Sequence, residues 1–283
     1  MVRGRRRAPA GEILSADELI KMRRAGLVVA RALREVVAAV RPGVTTLELD
    51  TLLADVLARE GARSSFLKYE PGYGVPPYPA VSCLSVNEEV VHGIPSDRVL
   101  VSGDLLSIDF GAIVDGYHGD AARSVCVGEV SAAVDGLNRA TEAALWAGIG
   151  AARLGGRIGE ISNAIERSLK RAGRYGIVRD YTGHGIGHEM HQPPDVPNYG
   201  SPHSGPVIVE GLCLAIEPMA TLGSGMVDVL DDEWTTVTLD GSVGAHWENT
   251  ITVTKQGLWV LTEEDGGEAM LDALDLDYGP LAD

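Results

Sequence analysis

Cysteine is scarce in this chain of 283 residues: Cys83, Cys126 and Cys213 are all it has, at wide and unpatterned spacing. That argues against a disulfide framework and against a cysteine-based zinc site, and it leads to the expectation of a reducing, cytoplasmic setting. Long apolar runs are missing as well. Nothing approaches the roughly 18 residues a membrane-spanning helix needs, so a soluble chain with no membrane partner is expected. Basic residues are few, 24 Lys+Arg against 40 Asp+Glu, for a formal net charge of −16. Such a surface is a poor partner for nucleic acid or anionic lipid. No secretory signal is visible, because Met1 to Gly11 is basic and contains Pro and Gly with no apolar segment behind it. The cluster Arg3 and Arg5 to Arg7 could be a targeting or ribosome-contacting tail, but a short disordered arm over residues 1–14 is the expectation. What is plentiful is apolar material: 45% hydrophobic residues at this length can bury a full core, in one large domain or two.

The chain reads as organised around Gly103 to Arg123, two short strands joined at Asp115-Gly116. That dipeptide suits a two-residue type I′ turn, whose central residues both need positive φ. With this turn Val114 faces Tyr117, Asp109 faces Ala122 and Asp120 faces Gly111. Asp109 and Asp120 then share one face as diagonal neighbours, about 5–8 Å apart at Cβ. Acids chosen blindly are usually solvated on the surface. Asp109, however, sits between Leu105-Leu106-Ser107-Ile108 and Phe110, where an unpaired ionised side chain costs several kcal/mol. A positive partner is expected beside it.

In chain order, Ser15-Ala16-Asp17-Glu18 is a capping box opening a helix with apolar positions from Leu19 to Val40, stopped by Pro42-Gly43. A second helix is predicted from about Thr46 to Glu60, then a loop over Phe66 to Pro79 and a strand over Val81 to Val91. The second half repeats the first. Arg41 to Gly61 matches Arg153 to Gly173 at an offset of 112, and Val99 to Asp109 matches Val207 to Glu217 at an offset of 108. Chance could produce either match, but two in the same order, superposing Asp109 on Glu217, point to duplication. The fold class expected is α/β (α+β): two pseudo-symmetric halves, each of two helices and antiparallel strands, with functional groups at the join. The expected organisation is one catalytic domain over residues 15–262, with halves of about 15–130 and 131–255. A fraying acidic tail is expected over 263–283.

Three further positions set metal-ligand types in or beside apolar strands: Glu217 in Leu214-Ala215-Ile216-Glu217-Pro218-Met219, Glu248 on one strand face with His246, and His184 in a glycine-rich stretch. Four clustered carboxylates repel by roughly 4 kcal/mol per pair at 4 Å and effective dielectric 20, more than a domain tolerates repeatedly. Two divalent cations cancel that charge, and carboxylates with one His favour Mn, Co, Fe or Zn. The rival site, His184 and His188 with Glu189 as a helical zinc motif, is undermined by Gly183, Gly185 and Gly187, which disfavour a helix.

His-Gly-Ile-Pro (92–95), Ile-Asp-Phe-Gly (108–111), Asp-Gly-Tyr-His-Gly-Asp (115–120), Gly-His-Gly-Ile-Gly (183–187), Ile-Glu-Pro-Met (216–219) and Glu-Asn-Thr-Ile (248–251) together resemble the type I methionine aminopeptidases, of the pita-bread fold. The resemblance runs from about Ser15 to Thr262. It implies two divalent ions held by Asp109, Asp120, His184, Glu217 and Glu248, with Asp120 and Glu248 bridging and Glu217 also accepting a proton. His92 and His191 would contact the scissile amide, and Cys83, Met190 and Trp234 would line the methionine pocket. Met190 stands where the family commonly has Phe. The loop Lys68 to Pro79 is longer than usual, so its aromatic wall is not assignable to Tyr73 or Tyr78. For His118, His188, His203 and His246 the expectation is an ordinary core or surface histidine, with a supporting role open for His118. The implied activity is removal of the initiator methionine from nascent polypeptides with a small second residue, by a cytoplasmic monomer, the ribosome being one place of encounter. Two rivals remain: an Xaa-Pro peptidase, and a non-catalytic peptide-binding relative that would have lost ligands.

Overall fold

The Asp115-Gly116 turn closes as its chemistry dictates, with φ of 51° and 86° at the two central residues. It joins strands Leu105–Val114 and Tyr117–Cys126, and the register pairs Val114 with Tyr117, Asp109 with Ala122 and Gly111 with Asp120. The computed structural model describes residues 11–72 and 74–281, so Tyr73 lies outside the described residues.

Two helix pairs flank the strands. Helix α1 (Ala16–Ala39) starts at its capping box, where the Ser15 N–H donates to Glu18 Oε2 at 2.7 Å, and ends at Val40, just before Pro42-Gly43. Helix α2 (Thr46–Glu60) is capped by Thr45, whose Oγ1 accepts from the Glu48 N–H at 3.1 Å, and stops at Gly61 with φ 65°. Helices α3 (Ala132–Ala151) and α4 (Ile158–Ala172) are their counterparts. The duplication is visible in the backbone: α4 begins and ends 112 residues after α2. Gly43 N–H donates to Leu100 O at 2.8 Å in one half, and Gly155 N–H to Ile208 O at 2.9 Å in the other.

Each half has its own core. Leu33, Leu53, Leu106 and Phe110 meet in the first, and Leu137, Ile165, Leu214 and Ile251 in the second. The hairpin sheet also includes Arg63–Ser64 and Cys83–Val86. The second sheet runs Leu258–Val260, Asn249–Val253, Cys213–Ile216, Gly183–Gly185, Gln192–Val196. The halves are stitched where the hairpin meets the chain at 246–250. Ser124 Oγ accepts from His246 N–H, Glu248 N–H donates to Ala122 O, and Thr250 Oγ1–H donates to Asp120 O, at 2.9, 3.0 and 2.7 Å.

Close approach of α1 to the chain at Leu261 and to the hairpin requires glycine. A Cβ on Gly26 would lie 2.0 Å from Leu261 O, and one on Gly119 would lie 2.8 Å from Gly26 N. Gly26→Ala is therefore expected to destabilise the protein by about 1–3 kcal/mol through overpacking, although Ala is the better helix former by roughly 1 kcal/mol. Denaturant unfolding measures this, and an unchanged or raised midpoint would show that the contact is not tight.

Three expectations are corrected. Val81 to Val91 is not one strand but two, Cys83–Val86 and Glu89–Val91, because Asn87 turns the chain at φ 58°. The acidic tail does not fray within its described part: helix α5 (Glu268–Ala273) buries Leu271 in the second core, and Gly279 N–H donates to Leu258 O. Leu271 carries enough apolar surface to anchor an otherwise charged segment. Of the arm expected over residues 1–14, residues 1–10 lie outside the described residues, but Leu14 is buried and Glu12 pairs with His188 at 2.6 Å. Among the described residues no helix is long and apolar enough to cross a membrane.

Candidate metal centre

Asp109 and Asp120 project from the hairpin onto one face, close enough for their carboxyls to share a hydrogen bond. Glu217 and Glu248 occupy two facing breaks in the second half. Ile216 pairs with Asn249 in one sheet and Met219 with His246 in the next. The residues between leave the ladder at Pro218, which has no N–H to donate, and so turn their side chains into the gap between sheets. His184 sits on the strand Gly183–Gly185, paired with Ala215. Its Nε2 lies 3.6 Å from Glu217 Oε1 and 4.0 Å from Asp120 Oδ2. One ligand atom each from Asp120, His184 and Glu248 falls within a 4.8 Å cluster. The sequence-predicted five thus converge on one spot, the floor of a cavity of about 300 Å³.

Electrostatically this floor is in tension. Burial, aggravated by neighbouring acids, raises the carboxyls of Asp120 and Glu248 well above the ordinary range. Burial pushes Asp109 up to about 7 and Glu217 up to about 8. Burial works the other way on histidine, lowering His184 to about 3 and His92 to about 4, so both are neutral at pH 7. Neutral imidazoles with crowded carboxylates are the state that coordinates metal. Asp109 Oδ1, Asp120 Oδ1 and Glu248 Oε1 are buried with no hydrogen-bond partner. An unpartnered buried oxygen is costly, and a divalent cation would satisfy all three. The donor set, oxygen-rich with one imidazole, fits a hard or borderline ion.

A pH dependence follows. Carboxyls with raised pKa hold their protons more tightly folded than unfolded, so their contribution to the stability of metal-free protein is complete below the ordinary carboxylate range and is lost as pH rises through about 7–8. Metal must displace those protons. Affinity is expected to fall by about tenfold per pH unit for each proton released as pH drops below about 8. Calorimetric titration in buffers of different ionisation enthalpy measures this, and a constant affinity between about pH 6 and 8 would refute it.

Above the floor, His92, at φ 60°, and His191 line the cavity from opposite segments. Cys83, Met190 and Trp234 pack with Phe66, Tyr78 and Ala80 as a separate apolar cluster that forms the cavity's soft wall. Tyr78 is buried, its O–H shared between Ser82 O at 3.1 Å and Gly93 O at 3.0 Å, and Trp234 Nε1–H donates to Pro76 O at 2.9 Å. His118 stands off the floor with Nδ1 2.9 Å from Ser65 Oγ, while His188 turns away to Glu12 and His203 is exposed.

The expectation that His246 is an ordinary histidine is corrected. It is buried on the cavity wall, its Nε2 3.3 Å from Glu217 Oε2, and neither ring nitrogen has an aligned hydrogen-bond partner. The signal was present, since alternation puts His246 on the face of Glu248. Phe66, Tyr69 and Tyr181 were also missed as lining residues, because loops carry no periodicity to place them. Arg123 was missed for another reason. It grips the back of the site, donating from Nη1 to Glu248 O at 2.6 Å and from Nη2 to Glu263 Oε1 at 2.7 Å, contacts made across more than a hundred residues of chain.

Fold and site together define a metal-dependent hydrolase. The family model described as metallopeptidase family M24 matches residues 20–255. Methionine aminopeptidase 1 of Mycobacterium tuberculosis is 49% identical over 267 residues, covering 92% of this chain and 97% of that protein. The solved methionine aminopeptidase of Thermotoga maritima is 41% identical, with a TM-score of 0.84 over 89% of this chain and 99% of that one. An Xaa-Pro dipeptidase from Bacillus anthracis shares the fold at a TM-score of 0.69, but is 24% identical and only 61% covered. The chain belongs to metallopeptidase family M24 and, within it, to the methionine aminopeptidases.

Proposed function

We propose that the protein removes the initiator methionine from new polypeptides whose second residue is small, with two divalent ions (Mn, Co, Fe or Zn) held by Asp109, Asp120, His184, Glu217 and Glu248. The observation that carries this reading is the convergence of four buried or half-buried carboxyls and a neutral histidine, three of the oxygens orphaned, beneath an apolar wall. Divalent ions bound there would supply Lewis-acid polarisation of the scissile carbonyl and a strongly acidified water. Asp120 and Glu248, on facing segments of the two halves, would hold the ions together with His184. Glu217 is the proton acceptor, with His246 Nε2 3.3 Å from its Oε2. His92 and His191, at the cavity walls, donate to the amide as charge develops on its oxygen. The residues from 15 to 262 carry all of these groups. The cytoplasm, with nascent chains emerging at the ribosome and the enzyme acting as a monomer, is the setting proposed.

The test is a peptidase assay of metal-stripped protein on Met-Ala and X-Pro peptides, with each divalent ion restored in turn. Recovery on Met-Ala alone supports the reading, and recovery on X-Pro peptides regardless of the first residue would transfer it to an Xaa-Pro peptidase.

Selectivity follows from the wall of Cys83, Met190 and Trp234. A soft apolar pocket takes the unbranched thioether of methionine, and since even one extra or missing methylene changes discrimination by only about 1–3 kcal/mol, the near-isosteric norleucine is expected to be cleaved. Lysine would shed its hydration against walls that offer no partner, and its cleavage is expected to be slower by orders of magnitude. Comparable kcat/KM for Met-Ala and Lys-Ala peptides would overturn this assignment.

A further inference from the structure

We propose that Tyr69 is a positioning residue for His191: its phenol O–H donates to His191 Nδ1, which fixes the imidazole as the Nε2–H tautomer and commits that N–H to the substrate amide. The inference rests on the proposed role of His191 as a donor to the scissile amide. Tyr69 Oη lies 2.8 Å from His191 Nδ1. The His191 ring, on an exposed residue, meets Tyr69 edge-on at 5.1 Å and 70° and His184 at 4.4 Å and 71°, contacts that add to the hydrogen bond in setting its orientation.

A neutral imidazole has one donor and one acceptor nitrogen, and the hydrogen bond at one decides the other. If Nδ1 accepts from the phenol, Nε2 carries the proton and faces the cavity that His191 lines. The alternative, Nδ1–H donating to the phenol oxygen, leaves a bare Nε2 lone pair facing a cavity floored by four acids. It also leaves the half-buried O–H of Tyr69 with no acceptor among the described hydrogen bonds. Burial and the negative charge of Glu189 raise the Tyr69 phenol, which keeps its proton available for donation. Only the Nε2–H form can donate to an oxygen on which negative charge is developing.

The loop carrying Tyr69 is tied at the same time to the other histidine. Lys68 N–H donates to Tyr78 O and Tyr78 N–H to Tyr69 O, at 2.8 and 3.0 Å, so the two tyrosines form one braced pair. Tyr78 O–H in turn bonds Gly93 O, the residue after His92. The Phe66 to Pro79 loop, which has no helix or strand among its described residues, thus meets the ring of His191 through Tyr69 and the backbone beside His92 through Tyr78.

The experiment uses the full-length, metal-loaded enzyme in four forms: parent, Tyr69→Phe, His191→Ala and the double variant. Steady-state kinetics on a Met-Ala peptide, metal content, and the nitrogen resonances of His191 in histidine-labelled parent and Tyr69→Phe are measured. Tyr69→Phe keeps the ring and its packing. It is expected to lower kcat by about 10–100-fold, with KM and metal stoichiometry little changed. In the His191→Ala background the same change should cost no more than about twofold, since the two act as one unit. The parent resonances should show a protonated Nε2 and a bare Nδ1, and Tyr69→Phe should show a tautomer mixture. A bare Nε2 in the parent, or full kcat in Tyr69→Phe, or losses that multiply in the double variant while His191→Ala alone is slow, would overturn the role of Tyr69. Full kcat in His191→Ala would instead remove the reading of His191 on which it rests. The nitrogen resonances of the parent decide the tautomer even if a variant folds poorly.

Discussion

Replacing Glu248 or Asp109 by Ala is expected to lower turnover by several orders of magnitude, and chelation of the parent protein should abolish it. The magnitude follows from what would be lost: divalent ions held there would lower the pKa of water from about 15.7 toward about 7, and without them no comparable nucleophile is available at neutral pH. Stability should respond with the opposite sign. In metal-free protein Glu248 is a buried carboxyl pressed against Asp120, Glu217 and Asp109, and its removal relieves that repulsion. The isosteric Glu248→Gln is therefore expected to raise the melting temperature of the stripped protein at pH 8, where the neighbouring acids are most ionised, and to weaken stabilisation by added metal. Activity loss accompanied by apo-state stabilisation marks a binding site, whereas loss of both marks simple damage to the fold. Thermal unfolding with and without chelator, beside the kinetic assay, separates the two. Full activity of thoroughly chelated protein would sink the metal-dependent reading.

His191→Ala is expected to depress kcat by about 10²–10³-fold, the usual cost of deleting a donor aimed at a developing oxyanion, while leaving metal stoichiometry unchanged. The structure supplies the reason for that separation. His191 lines the cavity beside His184 but lies outside the close cluster of Asp120, His184 and Glu248 ligand atoms, and its Nδ1 is already engaged by Tyr69. Burial is the main cause that holds His184 far toward its neutral form and His191 contributes less, so His184 is expected to stay neutral at pH 7 and the centre intact when His191 is removed. Metal analysis of the purified variant is decisive. Loss of an ion with His191 would reassign it from substrate donor to ligand.

Much of the architecture was legible because it is written in local chemistry. Asp115-Gly116 specified a turn, and the turn specified the register that puts Asp109 and Asp120 on one face. The capping box at Ser15 marked one helix start, and the repeat at an offset of 112 residues carried the second helix, predicted from about Thr46, over to α4. Where the reading failed, the missing information was not local. The turn at Asn87 is secured by the Asn87 side chain, which bonds Asp104 and the Leu105 N–H from another part of the chain, at 2.8 and 2.9 Å. The tail looked frayed on charge alone, because the second-half core that receives Leu271 is assembled from distant segments.

The sequence by itself determined the donor types, the hairpin that pairs two of them, and the duplication that sets Glu217 in register with Asp109, since each depends on residues close in the chain or on a repeated pattern. The tertiary structure alone decided that His246 faces Glu217, that Arg123 clamps the carbonyl of Glu248 from behind, and that Tyr69 meets His191. Those contacts join residues 29, 125 and 122 positions apart, and two lie where strands break or loops begin. Periodicity fixes a side chain's direction only while the backbone repeats regularly. Past a break, direction is set by which segments the two cores bring together.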